Sequence, residues 1–514
     1  MMGRGGGDSL AWLLSILICS SCCSCCCDGF GTFGFDIHHR FSDPVKGVLG
    51  VDELPKMGTF GYYSAMVHRD RTAVRGRGLA AAAAMDDRDD AVSFVEGNET
   101  FRINALGFLH YANVSLGTPS VWFLVALDTG SDLFWVPCDC SSCVKALRST
   151  AGDILKFNIY SPNASSTSKR VPCESSLCEF QRGCSKVPDV CPYEVLYLSN
   201  DTSSSGVLVE DVLHLVREDD SLEAIDAPIT FGCGKIQTGS FLDGAAPNGL
   251  FGLGIQKTSV PSILSSANIT ADSFSLCFGS DGTGRLNFGD KGSADQDETP
   301  LNINQLHPTY NISVTKIIVG KTVTDVEFSA IFDSGTSFTY LNDPAYGQLS
   351  DSFNSQVKDK QHAVDPMIPF KFCYDMSSNP IPNVTLTMKG GSQFLLIDPL
   401  ILFSDEGGSY LELEANPKLL SLGAENFMTG YRVVFDREKM ILGWKESNCY
   451  DFLDSSTLPL KPRTAVPPAT AVSPGDYNPE ATSVPRRQQS SASDSSQLSR
   501  MNLLMLCLFI LAII

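Results

Sequence analysis

The sequence predicts a mostly β protein made of two similar lobes, each presenting one aspartate from a strand-turn. Three observations lead there. Between Asn104 and Cys449 the chain is written in short runs rich in Val, Ile, Phe, Tyr and Thr, separated by Gly, Asn, Asp and Ser, which is the wording of strands and turns. Helical periodicity surfaces only briefly, around 258–266 and 343–353. One stretch repeats: "VALDTGSDLFWV" at 125–136 returns as "AIFDSGTSFTYL" at 330–341. About 345 residues of such wording exceed one ordinary β domain, and the repeat divides them into halves.

The repeat raises a physical problem. Asp128 follows Phe123-Leu124-Val125-Ala126-Leu127 and precedes Leu133-Phe134-Trp135-Val136, so a carboxylate ends a buried strand. Burying it costs several kcal/mol unless it is satisfied. Two glycine turns, "NGLFGLG" at 248–254 and "LLSLGAENF" at 419–427, recur late in each half. A single Asp-[Ser/Thr]-Gly triplet is weak evidence, since Asp before Gly commonly marks a surface turn. Two copies, each after an apolar strand and one lobe apart, point to paired chemistry. Two carboxylates brought face to face cannot both ionise, so they share a proton. The ionised one can take a proton from water while the protonated one hydrogen-bonds a peptide carbonyl. That chemistry assigns Asp128 and Asp333 as the catalytic pair and calls for no metal and no cofactor. Gly130 and Gly335 let the chain turn tightly. Ser131 and Thr336 can donate hydroxyl hydrogen bonds to the carboxylates, and Thr129 and Ser334 can bond across the lobe interface.

These residues resemble the pepsin-like aspartic endopeptidases, from about Asn104 to Cys449, on "LDTGSDLFWVP", "FDSGTSFTYL" and "YRVVFDREKMILGW". The resemblance implies a bilobal fold with lobes at 101–298 and 299–449, a substrate cleft between them, and a β-hairpin flap. It implies a monomer acting on peptide or protein substrates. "PYEVLYLSNDTSSSGVLVED" at 192–211 looks like the flap, with Tyr197 as its tyrosine and Gly206 and Asp211 following, although the wording Tyr-Gly-Asp-Gly is missing. The same fold carries non-catalytic binding or inhibitor-like relatives, which is the alternative function; both aspartate triplets are intact here.

The cysteines crowd the first lobe. Cys138-x-Cys140-x-x-Cys143 could suggest zinc, but no spaced histidines accompany it. The insert "CESSLCEFQRGCSKVPDVCPY" resembles that of plant nepenthesin-like proteases, several of which carry a glycosylphosphatidylinositol anchor. That resemblance implies nested disulfides Cys173–Cys191 and Cys178–Cys184, with Cys143–Cys233 and Cys277–Cys449 closing longer loops. Eleven cysteines between Asn104 and Cys449 is an odd number, and the resemblance implies that Cys373 is the free thiol, because the partner its counterpart usually has is missing here. Its usual partner strand would lie in 400–422, where a charged, strand-poor wording stands instead, so the second lobe is expected to be the less stable half.

The two ends speak of targeting. Residues 1–27 combine a basic start, an apolar stretch and small residues, as a signal peptide does. Residues 28–100, with basic clusters, an alanine tract and Asp86-Asp87-Arg88-Asp89-Asp90, read as a pro-segment ending in a flexible, cleavable stretch. Residues 450–490 are a Pro/Ser/Thr-rich stalk. In 491–514 small residues, a polar spacer and an apolar tail make a lipid-attachment signal with Ser491 as the anchor site. Seven sequons, at Asn98, Asn113, Asn163, Asn200, Asn268, Asn311 and Asn383, fit passage through the secretory pathway to the outer face of the plasma membrane. The net charge of −20 argues against nucleic acid as a partner.

Overall fold

The computed structural model describes residues 32–49, short pieces between 59 and 102, and most of the chain from 107 to 450; segments outside it include 1–31, 198–201, 303–307, 363–371, 403–407, 416–420 and 451–514. The strands used below begin with β1 (Phe33–His39), β2 (His110–Leu116), β3 (Val121–Asp128), β4 (Trp135–Ser142) and β5 (Pro192–Leu196). Next come β6 (Ser203–Val216), β7 (Ala224–Gln237), β8 (Leu250–Gly252), β9 (Ser273–Phe278) and β10 (Thr283–Phe288). The second half supplies β11 (Asp297–Pro300), β12 (Asn311–Val319), β13 (Thr322–Asp333), β14 (Thr339–Leu341), β15 (Val384–Met388) and β16 (Gln393–Leu395). It ends with β17 (Leu413–Ala415), β18 (Ser421–Gly423), β19 (Tyr431–Asp436) and β20 (Ile441–Glu446). Two helices, α1 (Val260–Ser266) and α2 (Ala345–Gln356), fall where helical periodicity is read in the sequence. On α2, Ala345, Leu349 and Phe353 recur every four residues and all are buried, which gives the helix one face to pack.

A 14-stranded sheet runs β5-β6-β7-β4-β8-β3-β2-β1-β10-β9-β19-β20-β11, with the two-residue strand Lys169–Arg170 pairing with β6 off this path, and a seven-stranded sheet runs β16-β15-β12-β13-β18-β14-β17. Burial explains their wording. β3 lies between β2 and β8 with Phe123 to Asp128 all buried, so it is apolar on both faces. β12 alternates buried and partly exposed residues except at a bulge between Val314 and Lys316, as a strand with one face on the core must. The C-terminal β19 does not join the seven-stranded sheet. It pairs with β9, setting Ser273 opposite Asp436, and Phe274 stacks on Phe435 with ring centroids 4.7 Å apart. Beside them the Arg432 guanidinium grips both oxygens of Asp290, and Ser275 Oγ donates to the same carboxylate at 2.5 Å. A buried charge is tolerated only when satisfied in this way.

β1 lies inside the region read as a pro-segment, and it fills the place between β2 and β10, with Ile37 opposite both Ala112 and Gly284. Phe33 and Ile37 are buried in the main core. The segment 400–422 also departs from expectation. Its backbone forms β17, β18 and two further short strands, Leu400–Leu402 and Gly408–Leu411. Main-chain pairing, which needs no apolar side chain, overrides the charged wording. Cys373 pairs through its backbone with Tyr410 and His362; its thiol lies outside the described residues. So do Asn98, Asn200 and Ser491. Asn113, Asn163, Asn268 and Asn383 are exposed, and Asn311 is half-buried at the start of β12. Among the described residues no helix is long and apolar enough to cross a membrane.

The cysteine pairing expected from the nepenthesin-like insert needs correction. The structure joins Cys138 to Cys233 and Cys140 to Cys143, so Cys143 is not the partner of Cys233. The parallel register of β4 and β7 decides this: Val136 lies opposite Cys233, and Cys138, two residues on, shares its face and comes within 4.9 Å between Cα atoms. In the insert the pairs are Cys173–Cys184 and Cys178–Cys191, interleaved rather than nested. The turn that ends with Cys178 N–H donating to Ser175 O at 2.9 Å folds Cys178 inward. There it meets Cys191, whose own backbone is bonded to Val171 and Leu208, and Cys173 is left on the outside facing Cys184. Cys277 is bonded to Cys449. Peptide mapping without reduction is expected to recover a fragment joining Cys138 to Cys233. Replacing both by alanine is expected to lower stability by about 2–5 kcal/mol in urea unfolding.

Candidate active site

The two aspartates stand at matching strand ends. β3 runs parallel to β8, placing Asp128 opposite Gly252, and β13 runs parallel to β18, placing Asp333 opposite Gly423. β8 also pairs with β4 at Leu250–Trp135, as β18 pairs with β14 at Ser421–Tyr340. The sequence repeat is therefore a repeat of strand register. The close crossing requires glycine: a Cβ on Gly252 would lie 2.1 Å from the Asp132 carbonyl oxygen, closer than any side chain permits.

Each carboxylate receives the same two donors. Gly130 N–H reaches Asp128 Oδ1 at 2.9 Å and Ser131 Oγ reaches Oδ2 at 2.6 Å. Gly335 N–H reaches Asp333 Oδ1 at 2.8 Å and Thr336 Oγ1 reaches Oδ2 at 2.7 Å. These bonds supply the compensation that a buried carboxylate requires. The turns are then tied to each other. Thr129 N–H donates to Ser334 Oγ at 3.2 Å, and Ser334 N–H donates to Thr129 Oγ1 at 3.0 Å. Both aspartates line one cavity of about 630 Å³.

The hairpin β5–β6 stands over that cavity, and Tyr193, Glu194, Val195, Leu196 and Tyr197 all face it. Tyr197 is fixed from beneath: Trp135 Nε1–H donates to its hydroxyl at 2.8 Å, and its ring meets Phe241 edge-on. Burial, and then the negative charge of Asp128, holds the Tyr197 hydroxyl well above its usual range. It stays a neutral hydroxyl over the cavity. Gly206 lies in the flap sheet opposite Tyr193. Asp211 lies farther along β6, where burial is outweighed by hydrogen bonds from Thr167 and Tyr160 that lower its pKa; it braces the sheet and does not face the cavity.

Several residues at the site carry no signal of their own in the sequence. Asp132 accepts the Gln256 N–H at 2.8 Å, and burial raises its pKa. Tyr310, from the second half, donates to the Leu253 carbonyl at 2.7 Å, while Leu253 N–H donates to the Asp128 carbonyl at 2.9 Å. Leu177 and Glu179 of the cysteine-rich insert join the lining. Among the described residues no group of three or more His, Cys, Asp or Glu side chains is placed to hold a metal ion.

Comparison with known proteins fits this geometry. Residues 110–290 match the family model described as xylanase inhibitor N-terminal, and residues 309–446 match xylanase inhibitor C-terminal. Aspartyl protease family protein 1 of Arabidopsis thaliana is 55% identical, over 95% of this chain and 94% of its own length. The chain belongs to the plant aspartic protease family. Another member of the family, aspartic proteinase-like protein 1 of the same plant, is 36% identical over 82% of each chain. Among solved structures, conglutin gamma, a basic 7S globulin from lupine seeds, shares the bilobal pepsin-like fold of this aspartic protease family member. Its TM-score is 0.54 at 22% identity, covering 66% of this chain and 92% of its own.

Ser334→Ala removes the acceptor of the buried Thr129 N–H and is expected to cost about 1–3 kcal/mol in denaturant unfolding. Ser355→Ala, at an exposed helical position, is expected to change stability by no more than about 0.5 kcal/mol.

Proposed function

We propose that this protein is an aspartic endopeptidase that hydrolyses peptide bonds with a water activated between Asp128 and Asp333, working best in acid. The observation that carries the reading is the tied pair of turns, which brings two buried carboxylates with identical donors to one cavity. Like charges at one site hold a single proton between them. The ionised carboxylate takes a proton from the water as its oxygen bonds to the scissile carbonyl carbon. The protonated one supports the oxygen on which negative charge develops. The tetrahedral intermediate collapses when the C–N bond breaks and the leaving amine takes the proton that the first carboxylate drew from the water, so the pair again holds one proton. Tyr197 and the flap cover the substrate and limit the entry of bulk water.

A second reading, a binding or inhibitory protein without catalysis, is favoured by the descriptions of the matching family models and by the seed-globulin neighbour. The two intact triplets weigh against it. Asp128→Asn and Asp333→Asn separate the two readings. Each is expected to lower turnover on a denatured protein substrate by at least about 10³-fold, with far-ultraviolet circular dichroism unchanged. Wild-type turnover in either variant would exclude the dyad.

We infer further that the protein is delivered to the cell surface and held there by a lipid on Ser491. The apolar leader, the seven sequons and the apolar tail Leu503–Ile514 support this. Phosphatidylinositol-specific phospholipase C is expected to release the protein from intact cells. Release by detergent alone, with the tail peptide still attached, would establish a tail anchor instead.

A further inference from the structure

One wall of the cavity comes from the cysteine-rich insert. Leu177 and Glu179 both line it, on either side of Cys178, whose disulfide to Cys191 moors the turn to the root of the flap. A second mooring comes from below. The Lys257 ammonium donates to the Ser176 carbonyl, and Thr258, the next residue, lines the same cavity. Lys257 thus directs its charge at the backbone of the insert. Glu179 is exposed at the rim, and so is Glu194 on the flap strand β5. Leu133, Leu177 and Leu208 belong to the same lining, while none of the lining residues is Lys, Arg or His. A cavity with apolar lining and exposed carboxylates at its edge matches a side chain with a methylene stem and a cationic tip.

We propose that Glu179 makes this cleft select substrates with a lysine or arginine close to the scissile bond. Its carboxylate takes the cationic tip, Leu133, Leu177 and Leu208 receive the stem, and Glu194 adds negative charge from the flap. The inference rests on the cleft being the peptide-hydrolysing site proposed above, and it names the substrate class. Asp132 supports the placement: burial pushes its carboxyl up, the Gln256 N–H and Arg437 pull it down, and the charges of Glu179 and Asp128 add to the rise, so Glu179 lies within electrostatic reach of the dyad side of the cavity. The charged residues of the lining itself are all carboxylates, so a cationic side chain entering at the Glu179 rim is attracted there and an acidic one is repelled. Specificity then comes from repulsion as well as attraction.

The test uses the secreted protein and a synthetic peptide library randomised around one cleavable bond, read by mass spectrometry, followed by kcat/KM on matched peptides. Wild type is expected to prefer Lys or Arg over norleucine at one position by about tenfold, which corresponds to about 1.4 kcal/mol. Glu179→Gln is expected to bring the ratio near parity. Glu179→Lys is expected to turn the preference toward Asp or Glu. Cleavage that depends on Asp128 but shows no basic preference, or a preference that Glu179→Gln leaves intact, overturns this inference and leaves the dyad standing. Cleavage that survives Asp128→Asn, or no cleavage by wild type, overturns the dyad reading and this inference with it.

Discussion

Thr129 and Ser334 each give a backbone N–H to the other's hydroxyl oxygen, across the boundary between halves that diverge widely in sequence. Both residues are buried, so water cannot replace either bond at low cost. Everything else at the cleft hangs on this exchange. Each aspartate precedes one partner of the pair and each carboxylate-binding glycine follows it, so a shift in one turn is transmitted to the other. The remaining supports act behind the turns. Tyr310 and Leu253 link the second half to the Asp128 carbonyl, and Gly252 allows strand β8 to approach from beneath.

The parts of this arrangement legible in the sequence are those where side chains break a local rule. A charge inside an apolar run must be compensated, so Asp128 and Asp333 stand out, and their small hydroxyl neighbours follow from the need for donors. What stays illegible depends on register. Cys143 and Cys138 are equally plausible partners for Cys233 until the parallel pairing of β4 with β7 chooses between them. The insert sequence likewise cannot say which cysteine its first turn carries inward. β17 and the strand Gly408–Leu411 are hidden for another reason: main-chain pairing makes them in a stretch whose charged and polar side chains suggest a loop. Tyr310 reads as an ordinary strand aromatic and gains its role only from the carbonyl it meets.

The first half therefore divides its labour. Strands β3, β4 and β8 carry the carboxylate chemistry with little freedom to vary, since backbone atoms meet there at contact distance. The insert sits beside them as a separately fastened piece, held by two disulfides and the Lys257 contact. Its loop residues can change without disturbing the strands, which suits a surface that faces substrate.

The large sheet places the earliest and the latest strands of the fold within a few positions of one another. β1 fills the place between β2 and β10, and β19 pairs with β9 from the far end of the chain. Contacts so distant in sequence carry a loop-closure cost and form slowly. During synthesis the outer edge of β9 waits, unpaired, until almost the whole chain has emerged and β19 arrives. Exposed strand edges of that kind are where chains join the wrong neighbours. The architecture that unites the two halves in one sheet thus makes an unfinished chain a better candidate for aggregation than a finished one.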